Sequence, residues 1–245
     1  LKKINSEYII GLSATPQRLD KLDQVLKWYI GDVIYKYKKI NDTQINVSVD
    51  KYSIFSTESS YNQVLLNYNQ KANMPVMINN ICNYNKRSFI IINIIKNLIS
   101  ENRNILLLSD RRKHLDFIYT IINDNNICTV GYYVGGMKQA ALKESENKQL
   151  ILGTFSMAAE GMDIPSLNTL ILASPKSNIE QSVGRILRKK HDTINPKIID
   201  IVDTFSIFLR QSMKRTQFYS KNKYIINDIN INDDDNNDRN DFKTI

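Results

Sequence analysis

From residue 86 onward the chain alternates between short apolar runs and longer stretches whose apolar positions recur three and four residues apart. The runs Ile105–Leu108, Leu150–Leu152, Thr169–Leu172 and Ile198–Val202 show almost no polar face, which predicts strands covered on both sides. The stretches between them predict helices over 87–100, over a segment with Leu115, Ile118, Tyr119 and Ile122 on one face, and over 137–145, 178–189 and 204–220. A further strand is expected at 127–133, followed by a Gly135-Gly136 loop. Strands alternating with helices in this way give an α/β fold, a parallel sheet sandwiched by helices. In such sheets ligands bind beyond the carboxyl ends of the strands.

The first part of the chain is less regular. Tyr8–Leu12 reads as a strand ending in the tight Ser13-Ala14-Thr15-Pro16 turn, 19–30 as a helix, and 44–55 as a strand from its partial alternation. Residues 58–85, rich in Asn and Tyr, read as short helices in a linker. From 228 the chain is polar, acidic and without periodicity, as expected of a disordered tail.

Composition narrows the function classes. Over 245 residues, 42% are apolar and 24% charged, ordinary for a globular protein. The excess of Asn, Ile, Lys and Tyr is ascribed to AT-rich coding. Two cysteines, Cys82 and Cys128, are too few for a disulfide framework and point to a reduced, intracellular setting. With two histidines this scattered, no metal cluster is expected. The apolar stretch 89–99 is too short to span a bilayer, so no membrane partner is expected. The chain opens on Leu1 with no signal-peptide pattern, which suggests a fragment. Net charge is +8; setting aside residues 228–245, with six Asp against Arg239 and Lys243, leaves 31 basic and 19 acidic residues, or +12. A basic body suits a polyanion.

Three segments carry candidate chemistry. In Gly11-Leu12-Ser13-Ala14-Thr15-Pro16, two small hydroxyl residues end a strand, where they can bond a neighbouring carboxylate without blocking a cleft. A plain turn with Pro16 starting a helix is the simpler reading. In Gly153-Thr154-Phe155-Ser156 through Gly161-Met162-Asp163, small residues let backbone amides approach a phosphate, Gly161 permits a turn and Asp163 can accept from a ribose hydroxyl. An ordinary strand-to-helix connection competes with that. In Gln181-Ser182-Val183-Gly184-Arg185-Ile186-Leu187-Arg188, the two arginines fall on one helical face and would repel unless an anion lay between them. A triphosphate meets that need. A solvated basic helix face is the commoner cause of such runs, but it leaves Gln181 and Gly184 unexplained.

In this order and spacing the three segments resemble motifs III, V and VI of superfamily 2 helicases. The forms Ser-Ala-Thr-Pro and Gln-x-x-Gly-Arg-x-x-Arg look most like the restriction-endonuclease-type and XPB-like branch, including helicases of large DNA viruses. The resemblance implies a RecA-like fold, with ATP held between two lobes and nucleic acid across them. It implies that Ser13, Ala14 and Thr15 couple hydrolysis to lobe movement, that Gly161 and Asp163 face ATP, and that Gln181, Arg185 and Arg188 form the catalytic motif VI. It further implies that Thr154, Ser109, Arg111, Gly135 and Gly136 contact the nucleic acid. No Gly-x-x-x-x-Gly-Lys-Ser/Thr loop and no Asp-Glu box occur in the sequence. The Mg2+ ligands are therefore expected in an N-terminal lobe outside this chain. The domain reading is the end of lobe one over 1–55, an interlobe linker over 56–85, lobe two over 86–227 and an acidic tail over 228–245.

The leading expectation is the C-terminal part of an ATP-dependent helicase or translocase, inactive by itself. It would act with its first lobe on DNA in preference to RNA, within the cytoplasm, nucleus, viral factory or virion. The competing classes are a non-catalytic nucleic-acid-binding remnant and the motor part of a restriction-type nuclease.

Overall fold

Continuous apolar runs make poor surface strands, and in the computed structural model they become the centre of a sheet. The structure describes residues 7–12, 22–35, 46–159, 162–187 and 194–232. The chain divides into two compact units, residues 1–44 and 45–245.

In the first unit the described residues form one helix, α1 (Asp23–Ile30), closed by Gly31 at φ +93°, whose amide donates to the Lys27 carbonyl at 2.8 Å. Residues 8–12, expected as a strand, form none, and Tyr8, Ile10 and Leu12 are largely exposed. A strand exists only against a hydrogen-bonding neighbour, and the described part of this unit offers none.

The second unit contains β1 (Ser48–Phe55), α2 (Ser59–Asn62), α3 (Met74–Cys82), α4 (Asn85–Ser100), β2 (Ile105–Leu108), α5 (Arg112–Asp124), β3 (Val130–Tyr133), α6 (Gln139–Ser145), β4 (Leu150–Gly153), α7 (Phe155–Ala159), β5 (Thr169–Leu172), α8 (Glu180–Ile186), β6 (Lys197–Asp203), α9 (Ser206–Lys221) and β7 (Ile225–Asn232). The seven strands form one sheet in the order β3-β4-β2-β5-β6-β1-β7, and every pair is parallel. Side chains alternate between its faces. Ile105, Leu107, Leu150, Leu152, Ile171, Ile199 and Ile201 pack with α3, α4 and α5 on one side. Leu106, Leu108, Ile151, Leu170, Leu172 and Ile198 pack with α7, α8 and the end of α9 on the other. All residues of β2, β4 and β5 are buried, as the unbroken apolar runs require.

Three boundaries differ from the sequence reading. The strand expected at 44–55 forms, but it pairs with β6 and β7, so it belongs to this sheet rather than to an earlier lobe. Residues 56–85 are built into the same core: Tyr61, Met77, Ile78 and Ile81 are buried beneath α4 and the sheet edge. Residues 228–232, read as the start of a disordered tail, complete β7, because β1 supplies backbone partners that no side-chain pattern announces. Residues 233–245 lie outside the described residues.

Two buried ion pairs brace the carboxyl ends of the strands. Arg87, on α4 and fully buried, donates to both oxygens of Asp203 at 2.7 and 3.1 Å and to the Ala173 carbonyl at 2.8 Å. Tyr61 donates to the same carboxylate at 2.8 Å. Arg215, on α9, pairs with Asp200 at 2.9 Å and donates to the Lys176 carbonyl at 2.7 Å, while Tyr219 donates to Asp200 at 3.0 Å.

Candidate functional site

Because all strands are parallel, the loops after β2, β3, β4, β5 and β6 leave from one edge of the sheet. The β2–α5 loop is tied across that edge. The Ser109 amide donates to the Gly153 carbonyl at 3.0 Å, and its hydroxyl lies 3.1 Å from His114 Nδ1. The Asp110 amide donates to Ser174 Oγ at 2.9 Å, and its carboxylate receives Lys176 Nζ at 3.1 Å. Ser109 is fully buried, so its side chain cannot meet a nucleic acid as the sequence suggested. It continues a strand with no exposed face, and its hydroxyl is satisfied internally. Burial first, and the Arg87 guanidinium second, hold the pKa of His114 down at about 3, so His114 is neutral. Arg111 is also committed within the fold. It bonds to the Asn79 side chain, donates to the Pro75 carbonyl at 3.0 Å, and so fastens α3 to the loop. Arg112 is the exposed arginine here; it pairs with Asp116 at 2.8 Å, and its guanidinium lies 4.1 Å above the Tyr132 ring.

Thr154 and the Gly135-Gly136 turn do share this edge, following the paired strands β4 and β3. At Gly153 a Cβ would lie 3.2 Å from the Tyr133 carbonyl and 3.3 Å from Leu108 Cδ2, so glycine lets the three strands close together. Thr154 is half-buried, with its hydroxyl 3.2 Å from Ser156 Oγ, and its carbonyl accepts from the Ala158 amide to start α7. Gly135 and Gly136 are exposed, the latter at φ +83°. Lys176, which the sequence reading passed over, completes the group. Its Nζ lies 5.1 Å from the Phe155 ring, and Arg215 anchors its carbonyl from below. Asp200, a carboxylate inside an apolar strand, signalled a buried cation, which is Arg215; nothing in the local spacing signalled Lys176.

A second cluster lies around α8. Arg185 donates to the Met162 carbonyl at 2.9 Å and to the Ala159 carbonyl at 2.6 Å, which ties α8 to the end of α7 and to the residue before Asp163. Asp163 is exposed and, with Asn104, Glu146, Asn147, Ser166 and Asn168, lines a polar cavity of about 590 Å3 at the amino ends of β2, β4 and β5. Gln181 is exposed, and at Gly184 a Cβ would meet nothing within 4 Å. Helix α8 is described over Glu180–Ile186, and residues 188 and 189 of the expected helix, Arg188 among them, lie outside the described residues. Ser13, Ala14, Thr15, Gly161 and Arg188 lie outside the described residues. Among the described residues no three His, Cys, Asp or Glu side chains come together to hold a metal ion. Nor is any described helix long and apolar enough to cross a membrane. The exposed Asp163 carboxylate can accept from hydroxyl groups such as those of a ribose, but the cavity it lines also holds Glu146 and no cation, so that lining offers nothing to a phosphate.

Residues 89–190 match the helicase conserved C-terminal domain. Over 92% of its length the chain is 38% identical to a protein of Acanthamoeba polyphaga mimivirus provisionally named an ATP-dependent RNA helicase, of which it covers 44%. It is 25% identical, over 93% of its length, to a provisionally named helicase of Invertebrate iridescent virus 6, of which it covers 52%. The chain thus spans about half the length of these relatives. Among solved structures, UvsW of T4 superposes with a TM-score of 0.61 at 18% identity, over 78% of this chain and 43% of that one. The sheet order, the residues matched by the domain and these relatives agree: the chain carries a helicase conserved C-terminal domain on a RecA-like parallel sheet.

Proposed function

We propose that this lobe serves an ATP-dependent helicase or translocase by closing on a nucleotide held by an N-terminal RecA-like lobe. The observation that carries the reading is the grip of Arg185 on the Ala159 and Met162 carbonyls. It joins the helix bearing motif VI to the end of α7 and to the backbone before Asp163, so that a movement of one moves the other. In this reading Asp163 accepts from the ribose, and Gln181 and Arg188 reach the phosphates. Arg185 positions that backbone and shares the phosphate charge. Ser13, Ala14 and Thr15 relay the closure. ATP arrives with Mg2+, whose ligands belong to the other lobe. The nucleic acid runs over the sheet edge at Thr154, Gly135 and Gly136, with Arg112 and Lys176 supplying the charge. The sequence reading favours DNA, whereas the mimivirus relative's name favours RNA. In this reading the protein works inside an infected cell, as its likeness to viral helicases supports.

The test is a two-lobe protein in which a lobe bearing the phosphate loop and acidic box precedes this chain. ATPase rate and strand affinity are measured with single-stranded DNA and RNA for Arg188→Lys and Arg185→Ala. A transition-state arginine contributes on the order of 10³- to 10⁵-fold, and lysine lacks its planar fork. Arg188→Lys should therefore slow turnover at least about a hundredfold and leave strand affinity nearly unchanged. Turnover near wild type with collapsed strand affinity would make α8 a nucleic-acid-binding face and remove the reading. The chain alone should not hydrolyse ATP.

A further inference from the structure

Between α2 and α3 the chain makes a tight antiparallel turn, closed by a bridge between Leu66 and Ala72. Its tip, Asn67-Tyr68-Asn69-Gln70-Lys71, is stiff for an exposed loop. The Asn67 side-chain oxygen accepts from the amides of Asn69 and Lys71, both at 3.0 Å. The Asn67 amide donates to the Lys71 carbonyl at 2.7 Å, and the Gln70 amide donates to the Asn67 carbonyl at 3.0 Å. Gln70 takes φ +55° to complete the turn. At the apex Tyr68 is 99% exposed, its ring packed on nothing in the fold, and Lys71 beside it is exposed as well.

The setting selects one kind of ligand. From Ser59 to Ser100 the chain contains no Asp or Glu; of its four basic residues Arg87 is buried against Asp203 and Lys86 pairs with Glu58, while Lys71 stands exposed on the hairpin. The hairpin is thus rooted in a segment without a negative charge. It runs directly into α3, and α3 is clamped to the β2–α5 loop by the bonds of Arg111 to Asn79 and the Pro75 carbonyl. That loop lies on the sheet edge that also carries Thr154 and Lys176. A rigid turn that holds out an aromatic face beside an ammonium group, in a carboxylate-free segment tied to that edge, suits an unpaired base followed by its phosphate. Every base has a face to stack, so the contact needs no particular sequence.

We infer that the 66–72 hairpin is an additional single-stranded nucleic-acid contact, in which Tyr68 stacks on a base and Lys71 meets the adjacent phosphate. This rests on the reading of the sheet edge as the strand path. The order of the turn is already established by its own hydrogen bonds, so stacking there costs little further entropy.

The experiment uses this chain and single-stranded DNA and RNA oligonucleotides carrying 2-aminopurine. Affinity and fluorescence are followed over a salt series for the wild type, Tyr68→Ala, Tyr68→Phe, Lys71→Gln and Lys176→Gln. The wild type should bind and quench the fluorescence. Stacking on an aromatic side chain accounts for about a fivefold change or more per base, so Tyr68→Ala should weaken binding at least fivefold and lose the quench, with the salt slope unchanged. Tyr68→Phe should keep both. Lys71→Gln should lower the slope by about 0.7. If Lys176→Gln weakens binding while Tyr68→Ala changes neither affinity nor quench, the strand path stands and the hairpin is overturned, leaving its apex as a protein contact. If the wild type binds neither oligonucleotide, the strand path and the hairpin fall together.

Discussion

The Arg87–Asp203 pair gives the sharpest energetic test of how this lobe is held. Asp203 ends β6 and is 1% exposed, and its two oxygens take their charge-bearing donors from Arg87. The same guanidinium bonds the Ala173 carbonyl at the end of β5. Replacing Arg87 with Met keeps much of the apolar stem and removes all three donors. The Tyr61 hydroxyl is then the remaining side-chain donor among those described for a carboxylate that water does not reach. Stranding one partner of a buried pair costs about 3–5 kcal/mol. That is a large fraction of the 5–15 kcal/mol typical of a whole domain. With a urea slope of about 2–3 kcal/mol per molar, the unfolding midpoint should fall by roughly 1–2 M. Asp203→Leu should be similarly costly, because it strands Arg87. The double variant Arg87→Met with Asp203→Leu strands neither group and should recover at least about 2 kcal/mol relative to the sum of the single losses. Far-UV circular dichroism in urea reads all four proteins. A midpoint loss worth less than about 1 kcal/mol for Arg87→Met, or losses that simply add, would refute the pair as a coupled buried unit.

Further expectations follow from other sites. His114 takes a proton near pH 6.5 when unfolded but only near pH 3 in the fold, so the unfolded chain binds more protons between those values. Stability should therefore be complete above about pH 6.5 and fall as pH drops toward 3, by up to about 5 kcal/mol; His114→Gln should flatten that part of a pH series of urea midpoints. Gly131→Ala would set its Cβ 2.9 Å from the Ser145 hydroxyl and 3.0 Å from Ser145 Cβ, so α6 must move. A loss of about 1–3 kcal/mol in thermal or urea unfolding is expected. Removing residues 233–245, which hold five Asp, should strengthen binding to single-stranded oligonucleotides at low salt; unchanged affinity would mean that the tail does not compete for the basic surface.

The central sheet was legible because β2, β4 and β5 are buried on both sides, and such strands can contain little but apolar residues. β1 and β7 were not legible as members of it. Their alternation and polarity, as in Ile225-Ile226-Asn227-Asp228, record a half-covered edge and say nothing about which neighbour supplies the hydrogen bonds. Tyr61 and Met77 were lost in an Asn-rich stretch for the same reason: short helices spanning one or two turns leave too few apolar positions to show a period. At the candidate site, Thr154, Asp163 and Gln181 could be picked out from local spacing. The inward turn of Ser109 and Arg111 depended on His114 and Asn79, and local spacing does not reveal which residues the fold brings beside a loop.

The position of β1 also has a consequence for how the protein is made. Ser48 pairs with Lys197 on one side and Ile225 on the other, so the first strand of this unit is flanked only by its last two. During synthesis β1 leaves the ribosome with both hydrogen-bonding edges bare. At 5–20 residues per second it waits on the order of tens of seconds for its partners. The middle of the sheet can assemble meanwhile, but the sheet cannot be completed before β6 and β7 have emerged. A stalled or prematurely ended product lacking β6 and β7 would retain β1 as an open strand edge, the kind of surface on which unfinished chains aggregate.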